Sequence, residues 1–237
     1  MHVLMIACHP RGDSYSAALR DAAHAALEAA GHEVRLRDLH ANGFVPVMSA
    51  AEHRVINAAG ENEAFIAQEA ADLRWAEALV LIYPTWWYGM PAMLKGWFDR
   101  VWLPGVAFNI GPGAIEPLLT SISRIAVVTT YGSPPWLLWY VGWPDYKVMN
   151  RGLRRLCARG CRLDWLYLTR MDQRQRPELD RFLGRVRGFF AGWRGYDGLR
   201  SDVNAAPPWL VDSERIHASG RSRPSAIRSS PAPGATQ

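Results

Sequence analysis

The sequence has few cysteines, almost no lysine and no long apolar run. Its 237 residues contain only 3 cysteines, which argues against a disulfide framework, and Cys157 and Cys161 have no neighbouring His or Cys pair that would complete a zinc site. No stretch reaches the roughly 18 uninterrupted apolar residues of a membrane span, and the chain starts in a strand-like run without a basic leader. We therefore expect a cytoplasmic protein with reduced thiols, no metal and no membrane insertion.

The positive charge is carried by arginine. The net charge of +5 rests on 25 Arg and only 2 Lys, and eight of the arginines fall within residues 151–176. These arginines lie inside helix and strand patterns without a recognised nucleic-acid motif, so we expect no nucleic-acid binding. A solvated helix face, or attraction for the phosphates of a nucleotide, is the preferred interpretation.

Short apolar runs alternate with helical patterns along the first 194 residues. Strands are expected at residues 2–8, 33–37, 78–83, 124–129 and 162–168, and helices at about 14–30, 61–75, 145–159 and 177–193. This alternation predicts an α/β fold built on a doubly wound, five-stranded parallel sheet with helices on both faces. Residues 195–237 form a C-terminal extension, and the Ser-, Pro- and Arg-rich end from residue 216 is typical of disorder.

The most informative stretch is residues 84–108, which follow the buried run at 78–83 and enter an amphipathic helix. In a parallel sheet, ligands bind in the loops that leave the carboxyl ends of the strands. This loop contains two Trp, a Tyr, a Gly and two Pro within residues 84–91, so it is aromatic and stiff. Such a surface suits a planar, polarisable ring.

Residues 84–101 fit the pattern Pro-x-x-Trp-[Phe/Tyr]-Gly-x-Pro-Ala-x-Leu-Lys-Gly-Trp-x-[Asp/Glu]-Arg-Val. The pattern resembles the flavin-contacting loop and following helix of the NAD(P)H:quinone oxidoreductases of flavodoxin-like fold. The resemblance covers about residues 1–194 and implies the strand order 2-1-3-4-5. It also implies a homodimer with each site at the dimer interface.

Three loops are expected to build one flavin site, because the first, third and fourth strands end on the same edge. By resemblance, the first loop would hold the flavin phosphates, the second would lie along the ring system, with Trp87 flanking it, and the third would face its pyrimidine end. Backbone N–H groups at the start of the first helix favour the same phosphate role. The candidate residues are His9, Ser14, Tyr15 and Ser16 in the first loop, Pro84, Thr85, Trp86, Trp87, Tyr88 and Gly89 in the second, and Thr129, Thr130, Tyr131 and Gly132 in the third.

One departure from the family affects catalysis. Many relatives carry a Tyr and a His downstream of the third loop, where this sequence has Leu137 and Trp143. Tyr140 or Tyr146 could substitute, but the sequence does not show it, so no catalytic side chain is assigned. The aromatic residues 136–143 are expected to wall the site, to pack against a partner subunit, or to do both, with packing in the core as the alternative.

The resemblance implies that NAD(P)H reduces a bound flavin, which then reduces a quinone or a similar electron-poor aromatic by two-electron hydride transfer with ping-pong kinetics. FAD is the first choice of cofactor and FMN the second. Two alternatives stay open: a flavin-bound ancillary subunit of a potassium efflux system, and a one-electron carrier of the flavodoxin type. Azo- and nitroreduction are the same chemistry with another acceptor.

Overall fold

A computed structural model describes residues 1–194, and the predicted extension at residues 195–237 lies outside them. The chain order of the helices and strands is β1 (His2–Ala7), α1 (Tyr15–Ala29), β2 (Glu33–Asp38), α2 (Ala50–Arg54), α3 (Ala67–Trp75), β3 (Ala78–Pro84), α4 (Ala92–Val101), β4 (Phe108–Ile110), β5 (Ile115–Pro117), β6 (Arg124–Thr130), α5 (Pro135–Val141), α6 (Pro144–Lys147), β7 (Arg162–Leu168) and α7 (Arg176–Ala191).

The central sheet has the predicted flavodoxin-like order. Its five strands run β2-β1-β3-β6-β7 and every neighbouring pair is parallel. The predicted order 2-1-3-4-5 is therefore confirmed, because β6 and β7 are the fourth and fifth strands of this sheet. The small β4–β5 hairpin is antiparallel and forms a separate two-stranded sheet that the sequence did not suggest.

The core lies in two layers, one on each face of the sheet. Alternate residues of the central strands point to opposite faces, which is the two-residue period of a strand. Leu79 and Leu81 join the layer beneath α3 and α4, whereas Val80 and Ile82 join the layer beneath α1 and α7. All seven residues of β3 are buried, as expected for the centre of a sheet covered on both sides.

Two predicted helices are interrupted. The helix expected at 61–75 is a 3₁₀ turn, Asn62–Phe65, followed by α3, because Ile66 leaves helical geometry while its side chain enters the core. The helix expected at 145–159 consists of α6, a π-helical turn (Val148–Gly152) and a 3₁₀ turn (Leu153–Leu156). The prediction of one continuous helix there is wrong, since the hydrogen-bond pattern changes from α to π to 3₁₀ and the backbone of Gly152 leaves helical geometry at φ −99° and ψ −81°.

Candidate flavin site

Three loops meet at the carboxyl edge of the sheet because the ladder continues past the strand ends. The N–H of Cys8 donates to the Ile82 carbonyl at 2.9 Å, and that of Thr85 donates to the Thr130 carbonyl at 2.9 Å. The N–H of Tyr131 likewise donates to the Leu168 carbonyl at 2.8 Å. The loops after β1, β3 and β6 therefore leave the sheet side by side, as the sequence predicted.

The loop after β3 is a tight turn with two residues in left-handed geometry. Trp86 and Gly89 exchange both backbone hydrogen bonds at 3.0 Å, and the φ angles of Trp87 and Tyr88 between them are 50° and 62°. Positive φ at two bulky residues is uncommon and concentrates at functional sites. The turn uses the N–H groups of Trp86 and Gly89 and leaves those of Trp87 and Tyr88 available to a ligand.

The loop after β6 presents a second set of donors. Its Tyr131 N–H already donates to Leu168, and the Tyr131 carbonyl accepts from the Met171 N–H at 3.0 Å. The Tyr131 side chain is buried, with 2% exposed. Donation to a ligand from this loop thus falls to the backbone N–H of Gly132, which the sequence analysis included, and to that of Ser133, which it did not.

A cavity of about 760 Å³ opens between these two loops. Seven of its lining residues belong to the two loops, two are the last residues of β3 and β6, and a 3₁₀ turn after β7 adds two more. The lining residues are Pro84, Thr85, Trp86, Trp87, Tyr88, Thr130, Tyr131, Gly132, Ser133, Met171 and Asp172. Sequence reasoning missed Ser133, Met171 and Asp172, and no motif marks them.

The loop after β1 lies next to the loop after β3 and lines a small pocket of its own. His9 and Ser16 line a small pocket beside Ile82, and the His9 ring lies edge-on to Trp86 with centroids 6.5 Å apart. Ser14 is the N-cap of α1, where its Oγ accepts from the Ala17 N–H at 3.1 Å. The remaining N–H groups of the first turn have no partner within the helix and favour an anion.

Tyr15 points away from this pocket. Its hydroxyl donates to the Leu179 carbonyl on α7 at 2.8 Å, and its ring packs against the core layer that α1 shares with α7. Burial raises the pKa of this hydroxyl to about 12. Only the backbone N–H of Tyr15 is therefore placed to contribute to an anion site at the start of α1. Its side chain instead connects the start of α1 to α7.

A buried polar network lies beneath the cavity. Asp145, at the start of α6, accepts from the Tyr131 hydroxyl at 2.7 Å and from the Thr85 hydroxyl at 3.0 Å, both through Oδ2. The Thr85 and Thr129 hydroxyls are 2.8 Å apart. Thr129 therefore belongs to the polar network beneath the cavity and does not line the cavity itself. Burial raises the pKa of Asp145, whereas these hydrogen bonds act in the opposite direction.

The positions that hold Tyr and His in the family are occupied differently. Trp143 is buried between Tyr131 and Tyr167, with centroids 5.5 and 5.2 Å away. Neither proposed substitute lines the cavity: Tyr140 is 78% exposed on α5, and Tyr146 packs edge-on against Trp165. The Tyr131 hydroxyl does not replace them, because it is buried and donates to Asp145 beneath the cavity.

An arginine-lined groove of about 350 Å³ runs beside the site between β7 and α7. Arg174, Arg181 and Arg185 line it together with Tyr167, and Glu178 is the carboxylate among them. Glu178 pairs with Arg174. The negative charge of Glu178 is thereby balanced by Arg174, and Arg181 and Arg185 leave the groove with a net positive charge.

The residues present fit a flavin. An open cavity with an aromatic rim and four available backbone donors suits a flat ring with acceptor atoms along its edge. The start of α1 suits the attached phosphate. Among the described residues, no group of three or more His, Cys, Asp or Glu side chains could hold a metal ion, and no helix is long and apolar enough to cross a membrane.

Comparison with known proteins agrees with the geometry. An uncharacterized NAD(P)H oxidoreductase, YcaK, of Escherichia coli K12 is 36% identical over 110 residues, covering 46% of this chain and 56% of the relative. NAD(P)H dehydrogenase [quinone] 1 of Cavia porcellus is 29% identical over 148 residues, covering 55% of this chain and 53% of the relative. The chain thus spans about half the length of the curated relatives it matches.

The solved structure of an NAD(P)H:quinone oxidoreductase from Methanothermobacter marburgensis superposes with a TM-score of 0.67 at 26% identity. That superposition covers 81% of this chain and 94% of the other. The family model described as the flavodoxin-like fold matches residues 1–173. The chain therefore belongs to the flavodoxin-like fold family, and the relatives it matches are named NAD(P)H oxidoreductases and NAD(P)H dehydrogenases [quinone], as the residues of the β3 loop predicted.

Proposed function

We propose that the protein is a flavin-dependent NAD(P)H oxidoreductase that reduces quinones or similar electron-poor aromatics. The observation that carries this proposal is the cavity between the β3 and β6 loops, with its aromatic rim and its backbone donors. When bound there, the flavin would supply the chemistry, taking a hydride from NAD(P)H and passing it to the acceptor. The names and structures of the relatives support the same reading.

The residues of the protein would bind the flavin, orient its ring system and shield it from water. The N–H groups of Trp87 and Tyr88 would donate to one edge of the ring system, and those of Gly132 and Ser133 to the other. Donors already fixed by turn geometry need no reorganisation when negative charge develops on the ligand, which is why they lower the barrier. The rings of Trp86, Trp87 and Tyr88 displace water from the site and offer flat surfaces for stacking.

FAD is the cofactor that the geometry favours. The hydrogen bond from the Tyr15 hydroxyl to the Leu179 carbonyl holds the start of α1 against α7, which forms one side of the arginine-lined groove. A phosphate at the start of α1 could therefore continue into the groove, where Arg181 and Arg185 supply positive charge and Tyr167 an aromatic surface. FMN would leave the groove empty.

One cavity serving two substrates supports ping-pong kinetics. The same cavity between the two loops would receive the nicotinamide and the acceptor in turn. No side chain is assigned as an acid or base. The homodimer and the cytoplasmic location stay predictions, and the exposed Trp136, Trp139 and Tyr140 on α5 support the homodimer.

The first test separates FAD from FMN. We expect Arg185→Ala to raise the Kd for FAD about tenfold, the loss of roughly one charge-assisted contact, and to leave the Kd for FMN unchanged. Arg187→Ala, on the same helix but outside the groove, is the matched control. Equal affinities for FAD in the two variants would remove the groove from the cofactor site.

A further inference from the structure

Asp145 is a buried carboxylate without a cation. Only 3% of the residue is exposed, and within residues 1–194 it forms no ion pair with Arg or Lys. Three groups donate to it: the Tyr131 and Thr85 hydroxyls to Oδ2, and the Tyr146 N–H to Oδ1 at 2.8 Å. A carboxylate that only accepts hydrogen bonds fits the ionised form. Burial of a charge with no opposite partner lowers stability, so its position calls for a functional reason.

The carboxylate ties two ligand-binding loops to each other. Thr85 is the first residue beyond β3 and immediately precedes the Trp86–Gly89 turn, and Tyr131 is the first residue beyond β6. Both side chains bond to the same Oδ2 atom. A shift of either loop would break one of these bonds, and the available N–H groups of both loops lie within one to three residues of them.

We propose that Asp145 is a positioning residue that fixes the two loops relative to each other and, by its charge, lowers the reduction potential of the flavin bound between them. The inference rests on the proposed function. A negative charge held in a low-dielectric interior opposes the addition of further negative charge nearby. In the part of the chain that the structure describes, no cation faces Asp145 to cancel this effect. Its neighbours there are Tyr83 on β3, Tyr131 after β6, and the hydroxyls of Thr85 and Thr129.

The Tyr83 hydroxyl is part of the same environment. It is fully buried and has no hydrogen-bond partner among the described residues, and burial together with the negative charge of Asp145 raises its pKa. It therefore stays neutral and does not compensate the carboxylate. Among residues 1–194, Asp145 is therefore the buried, uncompensated carboxylate beneath the cavity, whereas the carboxylate of Asp172 lines the cavity itself and is the same in all the variants compared.

The test compares Asp145→Asn with Asp72→Asn in the full chain. Asp72 is an equally buried carboxylate on α3, held by Arg35 and Arg37 outside the cavity, so its loss measures destabilisation alone. For Asp145→Asn we expect the affinity for reduced FAD, relative to oxidised FAD, to rise about tenfold, which equals about 30 mV more positive potential for a two-electron couple. Asp72→Asn should leave that ratio unchanged.

A second readout needs no cofactor. In the apo-protein, amide hydrogen exchange across residues 84–89 and 130–133 should accelerate together in Asp145→Asn and stay at the wild-type level in Asp72→Asn. Tyr131→Phe keeps the charge of Asp145 and removes the hydrogen bond that the Tyr131 hydroxyl donates to it. It should therefore accelerate amide exchange in the same loops without making the flavin reduction potential more positive. This variant also serves if Asp145→Asn does not fold.

The outcomes separate the two proposals. A wild-type protein that binds FAD, with an unchanged potential and unchanged loop exchange in Asp145→Asn, would overturn the role of Asp145 and leave the proposed function intact. A wild-type protein that binds neither FAD nor FMN would overturn the proposed function and, with it, the effect on potential. In Asp145→Asn, faster amide exchange in both loops together with a more positive flavin reduction potential would support both the positioning role and the electrostatic role of Asp145.

Discussion

Gly96 on α4 lies against the crossover loop that follows β2. A Cβ built on Gly96 would meet the Pro46 carbonyl oxygen at 2.3 Å and the Pro46 Cβ at 2.4 Å. In a helix interior, alanine is favoured over glycine by about 1 kcal/mol, but overpacking against rigid backbone costs about 1–3 kcal/mol and more where backbone must move. Because the Pro46 backbone has to shift, we expect Gly96→Ala to lower the free energy of unfolding by about 2 kcal/mol net.

Gly184 on α7 is the matched control for this change. A Cβ there would meet nothing within 4 Å, so Gly184→Ala should raise the free energy of unfolding by about 0.5–1 kcal/mol. Urea titrations of the two variants, followed by far-ultraviolet circular dichroism, measure both values. If Gly96→Ala proved as stable as Gly184→Ala, the close contact between α4 and the Pro46 backbone would be wrong.

Three further predictions concern the site and the titratable groups. Trp87→Ala should weaken FAD binding about tenfold, whereas Phe65→Ala, which removes an exposed ring outside the cavity, should not; equal Kd values from fluorescence titration would argue against stacking at Trp87. Because the folded pKa of Asp145 lies above its unfolded value, its contribution to stability is present below the ordinary Asp pKa of about 3.9 and is lost as pH rises through the raised value. The difference in free energy of unfolding between wild type and Asp145→Asn should therefore shrink as the pH rises from about 3.9 through the raised pKa. A difference that urea titrations find to be independent of pH would contradict the raised pKa of Asp145. Burial raises the pKa of Cys8 to about 12, so iodoacetamide at pH 8 should alkylate it only after unfolding, and labelling of the native protein by mass spectrometry would contradict its burial.

The sheet could be predicted from the sequence because each strand is a short apolar run with a clear boundary. The run at residues 78–83 is the strongest example, since it is buried on both faces and is followed by turn residues. The resemblance of residues 84–101 then located the loop that lines the cavity. These features depend on local sequence, and the structure confirms the sheet order.

The polar network could not be predicted, because its members are far apart in the chain. Thr85 and Asp145 are 60 residues apart, and no periodicity links a threonine after one strand to an aspartate that begins a short helix. Tyr15 shows the same limit: its position at the start of α1 was evident, but the direction of its side chain depends on α7 at Leu179. The break at Ile66 likewise reflects core packing that overrides local helix preference.

The central claim is that the cavity between the β3 and β6 loops holds a flavin that NAD(P)H reduces and a quinone reoxidises. The most direct measurement is the absorbance spectrum of the purified protein reconstituted with FAD, followed under anaerobic conditions by NADPH and then by a simple quinone. The account predicts flavin bands that bleach with NADPH and return with quinone. Failure to take up either FAD or FMN, or bound flavin that NADPH leaves oxidised, would contradict it.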